Sequence, residues 1–396
     1  MKIAGIIVEY NPLHNGHLHH IMETRRLSKC DCLIAVMSGN FTQRGEPAIY
    51  DKFLRTKMAL MNHVDLVVEI PYILTVQNAD IFAYASVDLL NHLGVEEIYF
   101  GSESGDISLL EKLSDVIESD EYNIAIKKYL KNGDSYPTAS NNAMNDIYPN
   151  NEYSKPNNIL GIQYLLSRNK INKNIKIKTI KRIYNDYHDT LLNNSHIQSA
   201  SAIRKLIKDD DFDKYPYKDF IPENVFELIK DKAYNDIELF YLELKYRLNS
   251  VKKDELSQIL SLDEGIESWF IKHRDFPNVE SLINSLLTRR YTNSKIKRSL
   301  MHILLNTKKS DLITFDVPYV RVLGMNNKGR SHLSNIKKDI KVPLITNLSN
   351  NIHPYLELDL LASRIYSLGY FSDLMKEELK PVIFLRFDWV YEPLAL

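Results

Sequence analysis

The first hundred residues alternate between short apolar runs and longer stretches with helical spacing. The apolar runs are rich in β-branched residues and predict buried strands at 2–9, 32–38, 65–71 and from about 96. Between them, apolar positions recur with helical spacing at 51–63 and 79–93. Strands that alternate with helices predict a doubly wound parallel sheet, in which ligands bind beyond the carboxyl ends of the strands.

The middle of the chain is less regular. Residues 140–158 are rich in Asn, Ser and Pro and predict a loop. A helix, a strand and a second helix are then predicted in turn, at 158–168, 174–182 and 197–208.

From about residue 215, long amphipathic stretches dominate, above all 223–249 and 280–305. Strand and helix patterns mix again from about 311. We therefore expect an α/β, Rossmann-like domain over 1–213 and a mainly α-helical region over 214–396. The last segment predicts a small mixed α/β subdomain.

Composition and charge narrow the class of protein. The chain has 396 residues, 44% of them hydrophobic, and a net charge of −1, so any nucleic-acid surface must come from local clustering. Its two cysteines, Cys30 and Cys32, exclude a disulfide framework and favour a reducing compartment. Since the apolar amino-terminal run is too short for a signal peptide and no run reaches 18 apolar residues, we expect a cytoplasmic protein without a membrane span.

The strongest chemical signal is the pair His14 and His17, which brackets Asn15-Gly16 between a strand and a helix. A helix start offers N–H groups and a positive dipole end that favour phosphate, and Gly16 allows a close backbone approach. Donors placed there would stabilise the charge that develops when an α-phosphate is attacked. A solvated histidine-rich turn and a metal site are the alternatives, but the strand–loop–helix context favours nucleotide chemistry.

Two basic stretches stand out against the neutral chain. Residues 168–182 and 281–310 each carry seven Lys or Arg and no acidic residue. Such runs fit a phosphate backbone, although a solvated face is the plainer explanation for each alone. In the second run we expect Arg289, Arg290, Lys295, Lys297 and Arg298 to bind RNA phosphates and Tyr291 to stack on a base.

Together with the histidine pair, the segment SASAIRK (199–205) resembles the HxGH nucleotidyltransferase superfamily. In that superfamily, a Ser/Thr-rich helix start followed by Ile-Arg holds the ATP phosphates. Ser199, Ser201 and Arg204 are the matching positions. Taken alone, a serine-rich helix start is mostly a structural cap.

A narrower resemblance, to the tRNA(Met) cytidine acetate ligase family, covers nearly the whole chain. It is carried by VEYNPLHNGHLHH, SGNFTQRGEPAIYDKFLRTKMAL, DLVVEIP, KPNNILGIQYL, KRIYNDYHD, LTRRYTNSKIKR and YVRVLGMNNKGR. The resemblance implies that ATP activates acetate to acetyl-adenylate. Mg²⁺ is expected as well, because ATP carries it. The acetyl group would then pass to N4 of the wobble cytidine of elongator tRNA(Met).

The resemblance also implies the nucleotide site. It assigns to ATP the residues Ile7, Val8, Glu9, Tyr10, Asn11, Pro12, Leu13, His14, Asn15, Gly16, His17, Leu18, His19, His20, Gly101, Asn157, Arg182 and Ser201. A turn glycine, a helix N-cap and a solvated strand end are the plainer readings of Gly101, Asn157 and Arg182. Lys52 and Arg55 would place positive charge at the mouth of the site, where Lys52 would meet acetate or the triphosphate, unless they lie on a solvated helix face.

Two other functions are weighed against acetate ligation. A small-molecule adenylyltransferase of coenzyme biosynthesis would release a dinucleotide, and the long basic carboxyl-terminal part counts against it. A non-enzymatic, nucleotide-gated RNA-binding protein would not need the intact HNGH and SASAIR pair.

Overall fold

A single sheet organises the fold. The computed structural model describes residues 1–182, 197–208, 216–348, 353–370 and 373–386. Within them, the strands are β1 (Ile3–Val8), β2 (Cys32–Ser38), β3 (Leu66–Ile70), β4 (Glu97–Ser102), β5 (Lys176–Lys181), β6 (Val320–Met325), β7 (Leu344–Ile345) and β8 (Ile383–Phe384). Their order is β5-β4-β1-β2-β3-β6-β7, with β8 paired to β6. Every pair is parallel except β3–β6, so the predicted parallel α/β sheet is confirmed.

Helices cover both faces of this sheet. In chain order they are α1 (Asn15–Ser28), α2 (Lys52–Met61), α3 (Tyr72–Thr75), α4 (Ala79–His92), α5 (Ile107–Glu118), α6 (Asp120–Lys131), α7 (Tyr136–Ile147), α8 (Pro156–Ile171), α9 (Ala200–Lys208), α10 (Glu223–Ile229), α11 (Tyr241–Ser250), α12 (Lys253–Leu256), α13 (Ile266–Lys272), α14 (Val279–Leu286), α15 (Asn293–Leu305), α16 (Asn327–Ile336), α17 (Pro354–Tyr370) and α18 (Leu374–Glu378).

The central strands are buried on both faces, which explains their continuous apolar sequences. All seven residues of β2 are buried. Ile34 and Val36 pack into one hydrophobic cluster, and Leu33 and Ala35 pack into the other. Because alternate side chains point to opposite faces, the same short strand supports both layers of helices.

The loop predicted over 140–158 is wrong. Helix α7 runs to Ile147 and α8 begins at Pro156, so only the residues between them form a connection. Ser135 caps α7 by accepting from the Thr138 N–H, and Ala139 and Ala143 are fully buried. Tertiary packing of these small residues outweighs the polar composition that indicated a loop.

The long amphipathic stretches are broken into shorter helices. Between α10 and α11 lies a short 3₁₀ turn at Ile237–Phe240. Residues 287–292 separate α14 from α15, where the Thr292 side chain accepts from the Lys295 N–H and starts α15. Hydrophobic spacing alone did not reveal these caps.

The carboxyl-terminal strands extend the amino-terminal sheet. Strand β6 pairs with β3 and carries β7 and β8, so the mixed segment expected from about 311 has no sheet of its own among the described residues. The junction contains a buried ion cluster: Lys52 lies 2.7 Å from Glu69 and 2.8 Å from Glu378, and Arg321 pairs with both carboxylates. The predicted division between residues 213 and 214 lies outside the described residues.

Candidate active site

The loop after β1 and the start of α1 form the centre of the candidate site. His14 is the N-cap of α1, and its Nδ1 accepts from the Gly16 N–H at 3.0 Å. In return, the His17 Nδ1 accepts from the His14 N–H at 3.4 Å. A neutral imidazole whose Nδ1 accepts carries its proton on Nε2. The cap therefore fixes the tautomer of His14 and leaves its Nε2–H as a donor.

The two rings are stacked, with His14 buried and His17 half-buried. Their centroids lie 3.8 Å apart with an interplanar angle of 29°, and the Tyr10 ring meets His17 edge-on at 5.2 Å. Burial, aided by neighbouring charges, lowers the pKa of His14 to about 3 and holds the pKa of His17 well below its ordinary value. Both imidazoles are therefore neutral near pH 7 and can donate without first taking up a proton.

Two arginines approach the histidines from different parts of the chain. The charges of Arg182, after β5, and Arg204, on α9, both depress the pKa of His14. Arg204 is held by donating from Nη1 to the Asn11 carbonyl at 2.9 Å. The carboxyl ends of β1 and β5 and helix α9 thus bring two guanidinium groups to one histidine pair, an arrangement that suits a polyphosphate.

Gly101 and Asn157 lie beside Arg182. A Cβ added to Gly101 would lie 3.2 Å from Arg182 Cγ, and Arg182 Nη1 donates to Asn157 Oδ1 at 3.5 Å. Three residues that are separated in sequence are therefore adjacent in the structure. Since parallel strands end at the same edge of the sheet, β4 and β5 explain the meeting of Gly101 and Arg182.

Sequence reasoning missed Glu103, which organises the neighbouring loop. Its Oε1 accepts from Asn157 Nδ2 at 2.7 Å and its Oε2 accepts from the Asn158 N–H at 2.9 Å. The Asn158 side chain accepts in return from the Glu103 N–H at 3.0 Å. The only signal in the sequence was the position of Glu103 directly after β4, two residues from the predicted Gly101.

The serines of SASAIRK lie at the start of α9. Ser199 Oγ accepts from the Ala202 N–H at 3.2 Å and lies 3.2 Å from Ser201 Oγ, and Ser201 is exposed. The same short helix presents Arg204 toward the Asn11 carbonyl. The assignment of Ser201 to ATP stays a prediction.

Of the remaining residues assigned to ATP, His20 is half-buried. Its Nε2 has no hydrogen-bond partner among the described residues, and burial lowers its pKa to about 4. Ile7 and Val8 are the last residues of β1, and Leu18 and His19 belong to α1. The matching segment KRIYNDYHD continues into 183–189, outside the described residues.

Lys52 and Arg55 lie neither at an open mouth of the site nor on a solvated helix face. Both side chains are fully buried. The Lys52 ammonium is held between Glu69 and Glu378. This placement does not support a direct contact of Lys52 with substrate.

Arg55 has a structural explanation. Its guanidinium donates to the Glu9 carbonyl at 2.7 Å and to the Ser38 carbonyl at 3.1 Å, and it also donates to the Gly39 carbonyl. It therefore satisfies backbone oxygens just after β1 and at the end of β2, and it fixes the two loops that follow these strands.

The basic run of 281–310 is partly exposed and largely paired. Arg289 and Arg290 are exposed, with ion pairs to Asp134 and Glu264, and Lys295 also pairs with Glu264 at 3.0 Å. Lys297 and Arg298 are half-buried. Their assignment to RNA stays a prediction.

The Tyr291 ring expected to stack on a base is only 4% exposed, and its hydroxyl donates to the Glu264 carbonyl. The exposed aromatic side chain beside it is Trp269, which meets Tyr291 edge-on at 6.4 Å. Tyr291 therefore packs in the interior, and that part of the expectation is wrong.

Two further kinds of feature are absent from the described part of the chain. No group of three or more His, Cys, Asp or Glu there has an arrangement that could hold a metal ion. Among the described helices, none combines the length and apolar character that a membrane span requires.

Comparisons with known proteins agree with this geometry. The profile of the family described as HIGH nucleotidyl transferase matches residues 1–380. The chain is 43% identical to the tRNA(Met) cytidine acetate ligase of Bacillus subtilis (strain 168), over 93% of this chain and 92% of that protein. It is 39% identical to the protein of the same name from Clostridium perfringens (strain SM101 / Type A), over 100% of this chain and 99% of that protein.

A solved structure shows the same fold. Thermotoga maritima TmcAL, crystallised with alpha-thio ATP, matches with a TM-score of 0.88 and 32% sequence identity, over 98% of this chain and 100% of that chain. The apo form of TmcAL matches with a TM-score of 0.89. By sequence, fold and site geometry, the chain belongs to the HIGH nucleotidyl transferase family and, within it, to the tRNA(Met) cytidine acetate ligases.

Proposed function

We propose that the chain uses ATP to ligate acetate to N4 of the wobble cytidine of elongator tRNA(Met), through an acetyl-adenylate. The observation that carries the proposal is the neutral His14–His17 pair, capped at the start of α1 with Arg182 and Arg204 nearby. Relatives over the whole length of the chain bear the name of this activity.

In the first step, an acetate oxygen attacks the α-phosphorus of ATP. A bond between that oxygen and phosphorus forms, the bond to the leaving pyrophosphate breaks, and negative charge grows on the phosphate oxygens. The His14 Nε2–H and the two guanidinium groups are preorganised donors for that charge, and they act without covalent chemistry.

In the second step, the cytidine N4 attacks the acetyl carbonyl, AMP leaves, and the amine loses a proton. The base must be unstacked to reach the adenylate, and a single-stranded anticodon loop makes this easy. Phosphates of the tRNA bind the exposed part of the basic run, at Arg289 and Arg290. Lys295, Lys297 and Arg298 continue this surface along α15.

Mg²⁺ is proposed to arrive with the triphosphate, which it neutralises when bound. Mg²⁺ commonly keeps several waters and uses substrate phosphates as ligands. Substrate phosphates and water, and not protein side chains, would then be its ligands.

The test has two parts. Acetate-dependent exchange of labelled pyrophosphate into ATP should be present without tRNA, since it reports only the first step. Labelled acetate, ATP and an elongator tRNA(Met) transcript should then yield label in an N4-acetylated cytidine after nuclease digestion. A transcript with uridine at the wobble position is the matched control, because it lacks the accepting amine. The proposal would be refuted if pyrophosphate exchange into ATP did not depend on acetate, or if the two transcripts were labelled equally.

A further inference from the structure

The segment 39–51 connects the candidate ATP site to helix α15. On one side, the Gln43 N–H donates to Glu9 Oε1 at 2.8 Å and the Ile49 N–H donates to Asn11 Oδ1 at 2.7 Å. On the other side, Gly45 has a φ of +78°, and a Cβ there would lie 2.2 Å from the Arg298 backbone nitrogen. Only glycine allows this contact with the helix.

Glu46, at the centre of this segment, contacts a cation from each side. Its Oε1 pairs with Lys297 Nζ of α15, and its Oε2 lies 3.8 Å from Arg204 Nη2 of α9. The side chain is 23% exposed, and these cations lower its pKa although burial opposes them. Glu46 therefore carries its charge at neutral pH.

Arg204 is thereby fixed at two points. Its Nη1 donates to the Asn11 carbonyl, in the loop that leads to His14, while Glu46 faces its Nη2. A long cationic side chain that is oriented before its ligand arrives loses less conformational entropy in the transition state. The anchoring carboxylate also carries a negative charge close to the place where a triphosphate would bind.

We infer that Glu46 is a positioning residue for the adenylation step, which orients Arg204 and joins it to Lys297 on the RNA side. This inference rests on the proposed function, because it gives Arg204 the role of a phosphate donor. Glu46 itself does not contact the reacting atoms. It acts through the direction in which it holds the guanidinium.

A charge-removing variant separates this role from a structural one. We expect Glu46→Gln to lower kcat of acetate-dependent pyrophosphate exchange about tenfold, the size of a typical interaction between neighbouring side chains. The KM for ATP should stay the same or fall, because the variant removes a negative charge near the triphosphate. General damage to the segment would instead raise KM and lower the Tm.

The matched control is Glu264→Gln. Glu264 also joins two cations of the basic run, Arg290 and Lys295, but no contact joins it to Arg204. The Glu264→Gln variant should leave both kcat of pyrophosphate exchange and the KM for ATP unchanged. Equal losses in the two variants would show a general electrostatic effect and would overturn the inference.

A double-variant cycle identifies the partner. If Glu46 acts through Arg204, Glu46→Gln should lower kcat in the wild-type background and have no further effect in an Arg204→Met background. Additive losses, or a Glu46→Gln variant with wild-type kcat, would refute the inference and leave the proposed function standing. An absence of acetate-dependent exchange in the wild-type protein would instead refute the proposed function itself.

Discussion

At the scale of single residues, the His14 imidazole caps a helix and, in the proposed function, also donates a hydrogen bond to the substrate. The His14 side chain ends the loop after β1 by capping α1, and the same cap directs its remaining N–H away from the helix backbone. A serine or asparagine would cap the helix equally well. The proposed function accounts for a histidine at this position, because it uses the second ring nitrogen as a donor.

The two tasks can be separated by His14→Asn. Asparagine keeps an oxygen acceptor for the Gly16 N–H, so we expect the Tm to stay near the wild-type value. The loss of the imidazole donor should lower the rate of acetate-dependent pyrophosphate exchange by about 10²–10³. His14→Ala should lose the cap as well, at about 0.5–2 kcal/mol of unfolding free energy. Exchange at the wild-type rate in the asparagine variant would mean that only capping is needed.

At the scale of secondary-structure elements, the sequence predicted those elements whose burial is visible in the spacing of hydrophobic residues. Strand β2 was predicted at its observed bounds, because a buried parallel strand is apolar throughout. Helix α7 was missed, since its stability comes from Ser135 and small buried residues that look like a loop in composition. Hydrophobic spacing records burial but not capping or the identity of the packing partner.

Charged residues show the same limit within the site. Arg182 and Gly101 were placed together by resemblance, and the strand register explains their meeting. Lys52 was misjudged because its partners, Glu69 and Glu378, come from elements that are far apart in sequence. From sequence alone, a charged residue on an amphipathic helix is predicted to be solvated, because its ion-pair partners cannot be identified.

The exposed start of the basic run provides a prediction for RNA binding. Replacing Arg289 and Arg290 with Gln should weaken the binding of tRNA and reduce its salt slope by roughly two units, about one for each lost phosphate contact. Pyrophosphate exchange should not change, since it needs no RNA. The measurement is tRNA affinity across a salt series.

A control with the same change of charge is available just after α16, which ends at Ile336. Lys337 and Lys338 are exposed and belong to no proposed site. Replacing both with Gln should have a smaller effect on the salt slope than the arginine pair. Equal slopes for the two double variants would mean that RNA responds only to the net charge of the protein.

At the scale of the whole molecule, buried histidines link stability to pH. His302 is fully buried, where its Nε2 contacts the Val76 carbonyl and its Nδ1 contacts the Tyr72 hydroxyl. Burial lowers its pKa to about 4, whereas an unfolded histidine titrates near 6.5. Between these values the unfolded chain binds a proton that the folded chain does not, so the free energy of unfolding falls as the pH falls.

In the His302→Gln variant, position 302 takes up no proton in either the folded or the unfolded chain. Near pH 5, its unfolding free energy should depend on pH less steeply than that of the wild type, by up to about 1.4 kcal/mol per pH unit. Urea unfolding at several pH values between 5 and 7 measures both slopes. Parallel slopes would show that His302 already carries its proton in the folded protein.

The shared sheet also makes a prediction about fragments. A chain that ends at residue 213 lacks β6, and with it Arg321, which pairs with the buried Glu69. It would leave an apolar strand edge and an incomplete ion cluster open to water, so we expect it to be recovered in aggregates. Soluble expression of residues 1–213 with a cooperative unfolding transition would contradict this and support an independent domain.

The antiparallel joining of β3 to β6 has a consequence for the chain while it is being made. Val67 pairs with Gly324, which leaves the ribosome 257 residues later. At about 5–20 residues per second, β3 waits for roughly 10–50 s before its partner is available. During that interval the nascent protein presents an unpaired hydrophobic edge, so its yield in the cell should depend on chaperones that hold the amino-terminal half until translation ends.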